Sequence, residues 1–227
     1  MLSATRALLW SAAGFGWAML IASDAPFAST GGYCSTRGVP SPAFLFAQLR
    51  ALWFADAATT VVLPWLLMLI AMLPPLLLQP AAHVVSAVPA RRHTALLAFL
   101  SSYASAWLAA TPLLILFTML LAGLFPTHVW STAIVALAIA LAWQATALRR
   151  RCLARCLTLP QLDGHTACTR YGIATGAACV GVCWPWMLAA QLVPGDLHMP
   201  AMAISALIMF RERRALSGHD IPMAGTR

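Results

Sequence analysis

YGIATGAACVGVCWPWMLAAQL, residues 171–192, contains no charged side chain. A helix needs about 20 apolar residues to cross the hydrocarbon core of a bilayer, and this stretch supplies them. Similar runs occupy approximately residues 7–22, 57–78, 95–122, 129–148 and 197–210. The whole chain is 61% hydrophobic and only 9% charged, with a mean hydropathy of +0.81. A soluble domain carries charge on about a quarter of its residues, so too little is present here to cover a globule. The expected fold is all-α: one membrane domain, a polytopic transmembrane bundle of six helices.

Details of the runs set further expectations. The first could be a signal peptide, but Pro26 directly follows the small residues at 22–25 and disfavours cleavage, so an uncleaved helix is expected. Residues 24–50 form a loop rich in Gly, Pro and Ser. In the second run, Pro64 should bend the helix and Pro74-Pro75 should disrupt its last turn. The third is longer than a span requires and should tilt, break near Pro112 or turn early at Gly123. The sixth, LHMPAMAISALIMF, is short and needs residues 193–196 to reach across. Asp56 suits the N-terminal cap of the second helix.

All fourteen basic residues are arginine, against six acids. They lie in short segments between apolar runs rather than on a soluble module, which argues against a nucleic-acid partner. With both termini cytoplasmic, the inner segments hold twelve arginines and the outer loops only Arg37 and Arg50. Such a bias sets orientation by the positive-inside rule, making 24–50 a periplasmic loop and 149–170 a cytoplasmic loop rich in Cys and Arg. Most cysteines then face reducing conditions or lipid, with Cys34 alone outside, and a disulfide framework is not expected.

No GxGxxG, Walker, HExxH or GxSxG signature occurs, nor a carboxylate pair within a span. These absences favour a non-enzymatic protein. The chemistry is in the sulfur. Cys179, Cys183 and Met187 recur every four residues and share one helix face, and Met68 and Met72 do the same in the second run. Thiolates and thioethers are soft ligands suited to Cu(I), and a cation would offset thiolate charge at lipid depth. Core packing explains the same residues, and both readings stay open. A second group, Cys152, Cys156, His165 and Cys168, provides four ligands of a kind zinc accepts, with arginines nearby to favour thiolates. Unpaired cysteines in a basic loop are the alternative.

WLLMLIAMLPP (65–75), Tyr103 with Trp107, RRRCLARCLTLP (149–160) and GAACVGVCWPWM (176–187) together resemble a bacterial family of predicted metal-binding integral membrane proteins of unknown function. The resemblance covers roughly residues 52–215. It implies a multi-pass protein of the bacterial inner membrane, with Met68, Met72, Cys152, Cys156, Cys179, Cys183 and Met187 as the favoured ligands. Members often carry more methionines in the AMxxP segment and adjacent cysteines before the tryptophan. The leading expectation is soft-metal handling or delivery, most plausibly of copper(I), within the lipid bilayer and toward a membrane or periplasmic protein partner, as in cuproprotein assembly. The alternatives are a metal-free structural or assembly subunit of a membrane complex, and a thiol redox membrane protein.

Overall fold

A computed structural model describes residues 2–22, 63–124, 129–193 and 197–217. The 24–50 loop with Cys34, Asp56 and the beginning of the second run lie outside the described residues. The described chain is all-α. Its α-helices are α1 (Leu2–Ala22), α2 (Leu63–Met72), α3 (Leu78–Ala87), α4 (Arg92–Leu124), α5 (Val129–Gln144), α6 (Ala147–Leu157), α7 (His165–Gln191) and α8 (His198–Ser217).

Two of the described helical stretches are long and apolar enough to cross a membrane, 89–118 and α7. Two bent pairs raise the number to four if each pair makes one span. This is fewer than the six spans expected from the hydropathy runs. Each bend has a local cause. Pro74 and Pro75 lack N–H groups, and the chain tightens into a 3-10 turn over Pro74–Leu77. Beyond that turn the helix departs from the direction of α2 by 53°. Between α5 and α6 the chain turns by 70°, and the Thr146 side chain caps the new helix by accepting from the Arg149 backbone N–H.

Two expectations about the helices are corrected. Pro112 does not break the third run: α4 continues through it as a single 33-residue helix, about 50 Å long at 1.5 Å per residue. The Cys/Arg-rich segment 149–170 is largely helical rather than a loop. It comprises most of α6 and the first turns of α7, separated by residues 158–164. Its helical character follows from a buried stripe of Arg149, Leu153 and Cys156, residues three and four apart that share one face.

Helix α7 is the axis of the molecule, packed by α4, α5, α6 and α8. It has 61% of its span window buried, against 33% for the span containing most of α4. The α4–α7 pair is the most extensive. A Cβ added at Gly176 would lie 2.9 Å from the Tyr103 carbonyl oxygen, so only a glycine permits that approach, as is common between membrane helices. One main core joins residues of α1, α2, α3, α4, α6, α7 and α8. A smaller one joins Leu121, Ala136, Ala140 and Leu188 at the other end of α7.

Candidate metal site

Cys179 and Cys183 occupy successive turns of α7. Their Sγ atoms are 3.7 Å apart, and the two side chains are 0% and 1% exposed. Both are free thiols. From α4, Tyr103 and Trp107 pack against this face, brought close by the glycine contact. The Tyr103 hydroxyl and Trp107 indole N–H interact with the Cys179 thiol. Neither finds a partner in full hydrogen-bond geometry among the described residues. Two buried donors therefore border a sulfur atom that gains acceptor strength when it ionises.

The bundle also buries a cation. Arg213 of α8 is buried. Its Nη1 donates to the Leu76 carbonyl oxygen at 2.8 Å. That acceptor is available for a local reason. In a helix the carbonyl of residue 76 would receive the N–H of residue 80, which is Pro80 and has none.

Pro185 creates a second acceptor in the same way. It deprives the Gly181 carbonyl of its helical donor, and the Trp143 indole N–H fills the place at 2.9 Å. Two prolines thus expose two carbonyls, and side chains from other helices use them to fasten the bundle around the thiols.

The methionines extend the sulfur along the bundle. Met68, Met72, Met187, Met202 and Met209 are buried in the same core as the cysteine pair. Gln191 donates to Met68 Sδ at 3.4 Å, so Met68 lies at the level of Gln191, about 12 Å along α7 from Cys183. On α8, His198 donates from Nδ1 to the Ala190 carbonyl, and Met202 and Met209 lie further along the same helix. Methionines of α2 and α8 thus share one core with Cys179, Cys183 and Met187.

The second sulfur group does not assemble, and the expected zinc site is overturned. Among the described residues, no three or more His, Cys, Asp or Glu side chains are arranged to hold a metal ion. Helix α6 lies along α7 with Cys152 against Gly181, where an added Cβ would come within 2.6 Å of its Sγ. His165 and Cys168 are on the first turn of α7, thirteen residues and more before Gly181, a separation of about 20 Å along the helix. Cys168 is fully buried there, while His165 is exposed. Cys156 is buried in the main core.

The family model described as PpoB2, copper chaperone, matches residues 62–225, well over half of the chain. The chain belongs to this copper chaperone family. No curated protein and no solved structure matches it. The PpoB2 region includes every sulfur-bearing residue of the site, and copper chaperone takes the place of the broader metal-binding description expected from the motifs. Such a family is consistent with a non-enzymatic protein.

Several residues of the site went unrecognised in the sequence. By sequence Arg213 reads as one of the topology-setting arginines, although Met202, Ser205, Met209 and Arg213 repeat at the spacing of one buried helix face. Pro80 and Pro185 signalled vacated carbonyls four residues earlier. No local signal names the side chains that fill them.

Proposed function

We propose that this protein binds Cu(I) at the Cys179–Cys183 pair and delivers it to an acceptor protein during cuproprotein assembly. The observation that carries this reading is the buried thiol pair with sulfurs 3.7 Å apart. With metal–sulfur bonds of about 2.3 Å, that separation suits a bent two-sulfur bridge and leaves one side open to a third ligand. The surrounding methionines offer only thioethers, which suit Cu(I). Among the described residues, no three His, Cys, Asp or Glu side chains are arranged as a four-ligand site of the kind zinc prefers would need.

Transfer follows from the gradation of ligands along α7. The thiols hold the ion more tightly than thioethers, and Met187, Met72 and Met68 offer exchange positions toward the Gln191 end. In the arginine-based orientation, the protein is a six-span protein of the bacterial inner membrane with both termini cytoplasmic. The thiol end then lies nearer the cytosol and the Met68 end nearer the periplasm, where the acceptor takes the ion. The structural-subunit reading would be favoured by sulfur facing lipid. Burial of Cys179, Cys183 and Met187 supports metal handling instead.

The test is metal content after anaerobic purification in detergent and loading with Cu(I). About one copper per chain is expected, lost in Cys179→Ser/Cys183→Ser and retained in Cys152→Ser/Cys156→Ser. A wild-type protein that stays empty, or copper indifferent to the first variant pair, removes the proposal.

A further inference from the structure

We propose that the cleft between the starts of α4 and α7 binds the headgroup of an anionic phospholipid. This ligand site is separate from the thiol pair and goes beyond the copper reading.

The cleft has a volume of about 1030 Å³ and is lined by the chain from Val88 to Ala95 together with Gly164 and His165. Arg91, Arg92, His93 and His165 bring basic side chains to it from two segments distant in sequence, and among the described residues no acid lines it. Asp163, the nearest acid in sequence, is exposed and lies outside the lining. Arg92 Nε donates to His93 Nε2 at 3.4 Å, which keeps these two side chains together. Arg91, His93 and His165 are exposed and Arg92 is half-buried, so a ligand can reach them from outside the bundle. Such a lining is complementary to a phosphate.

Helix register sets the depth of the cleft. A Cβ on Gly172 would lie 2.5 Å from the Phe99 carbonyl oxygen, and one on Gly176 would lie 2.9 Å from that of Tyr103. The two contacts advance together by one turn, so α4 and α7 run parallel. Continued toward the N-termini, the same register sets Arg92 level with His165, about 10 Å beyond the Phe99–Gly172 contact. The two stretches long and apolar enough to cross a membrane, 89–118 and His165–Gln191, therefore begin flush with each other at the cleft. A flush start of two spans is the level of lipid headgroups. The positive N-terminal ends of both helices add to the attraction that the side chains carry.

The surroundings also suit an amphiphile rather than a small anion. Val88, Pro89 and Ala95 give the cleft an apolar wall. Leu97 of α4, one turn beyond His93, is 66% exposed, and Ile173 of α7, about two turns beyond His165, is 49% exposed. A phosphate held by the arginines would have its acyl chains against these side chains, a surface that free phosphate does not use. In the proposed orientation the cleft faces the cytoplasmic leaflet, whose anionic lipids are drawn to basic segments.

The test is lipid binding by the full chain in detergent, titrated with dioleoylphosphatidylglycerol or dioleoylphosphatidylcholine and read by native mass spectrometry. Phosphatidylglycerol is expected to bind about tenfold or more tightly than phosphatidylcholine. Arg91→Gln/Arg92→Gln should abolish that preference, and Arg150→Gln/Arg151→Gln, at exposed positions of α6, should keep it. Equal binding of the two lipids by the wild type, or equal loss in both variant pairs, would mean a diffuse attraction to arginine and overturn the proposal. Displacement of phosphatidylglycerol by millimolar inorganic phosphate would assign the cleft to the free anion and overturn it too. Should Arg91→Gln/Arg92→Gln not fold, Arg91→Glu reverses one charge at an exposed position. It should weaken phosphatidylglycerol binding by about tenfold and leave phosphatidylcholine binding level; an unchanged preference would again overturn the proposal.

Discussion

At the scale of residues, proline creates hydrogen-bond acceptors here as well as bends. Pro185 lies inside α7, and the Gly181 carbonyl it vacates is taken by Trp143. Trp143 also packs edge-on against Trp184 with ring centroids 5.2 Å apart, so the bond joins α5 to α7 beside Cys183. Trp143→Phe preserves most of the ring and loses the donor. It should cost about 1–2 kcal/mol in stability, the usual effect of leaving a buried polar group unsatisfied. In a Pro185→Ala background the helix supplies its own N–H, and the same substitution should cost clearly less. Thermal or denaturant unfolding of the four proteins in detergent measures the difference. Equal costs in both backgrounds would mean that the tryptophan acts through packing alone.

At the scale of elements, the decisive contact is α4 against α7. Gly176 meets the Tyr103 backbone, and the same approach sets Trp107 and Tyr103 against Cys179. Gly176→Val inserts a branched side chain where backbone lies within contact distance. Overpacking of this kind costs about 1–3 kcal/mol, and here it must also separate the two helices. The expected outcome is a lower unfolding temperature together with loss of Cu(I) binding, read by unfolding and by metal content. A variant that loses stability but keeps full copper occupancy would show that α4 does not shape the site. The all-α character and long apolar helices were legible as uncharged runs. Helix α6 was not: its three consecutive arginines hide the stripe of Arg149, Leu153 and Cys156 that α7 buries. The zinc expectation fails for the same reason: residues close in sequence are not close in space.

At the scale of the whole molecule, exposed apolar side chains mark the outside of the bundle. Leu113, Leu116, Leu120, Trp130, Ile134, Leu141, Ile204 and Leu207 are all exposed, on α4, α5 and α8, which suits a surface in contact with lipid. Cysteine exposure offers a direct test of the proposed orientation. Cys152 is half-buried, while Cys156, Cys168, Cys179 and Cys183 are buried. In a Cys34→Ser background, a membrane-impermeant maleimide should label Cys152 in inside-out vesicles and not in right-side-out cells. The four buried thiols should react only after denaturation, as counted by mass spectrometry. Labelling of Cys152 from the periplasmic side would invert the proposed topology and the direction of copper transfer with it.

Taken by itself, the sequence determined what depends on local chemistry. Runs without charge form helices because the backbone satisfies its own hydrogen bonds there, and Cys179, Cys183 and Met187 share a face because of helical periodicity. The arginine bias likewise carries the expected orientation. Tertiary structure alone decided which faces meet. Arg213 left the set of surface charges because α8 returns along α7 and its guanidinium finds the carbonyl that Pro80 vacated. Cys152 and Cys168 were kept apart because α6 lies lengthwise on α7. Both outcomes depend on contacts between residues distant in the chain, which helical period and hydropathy do not encode.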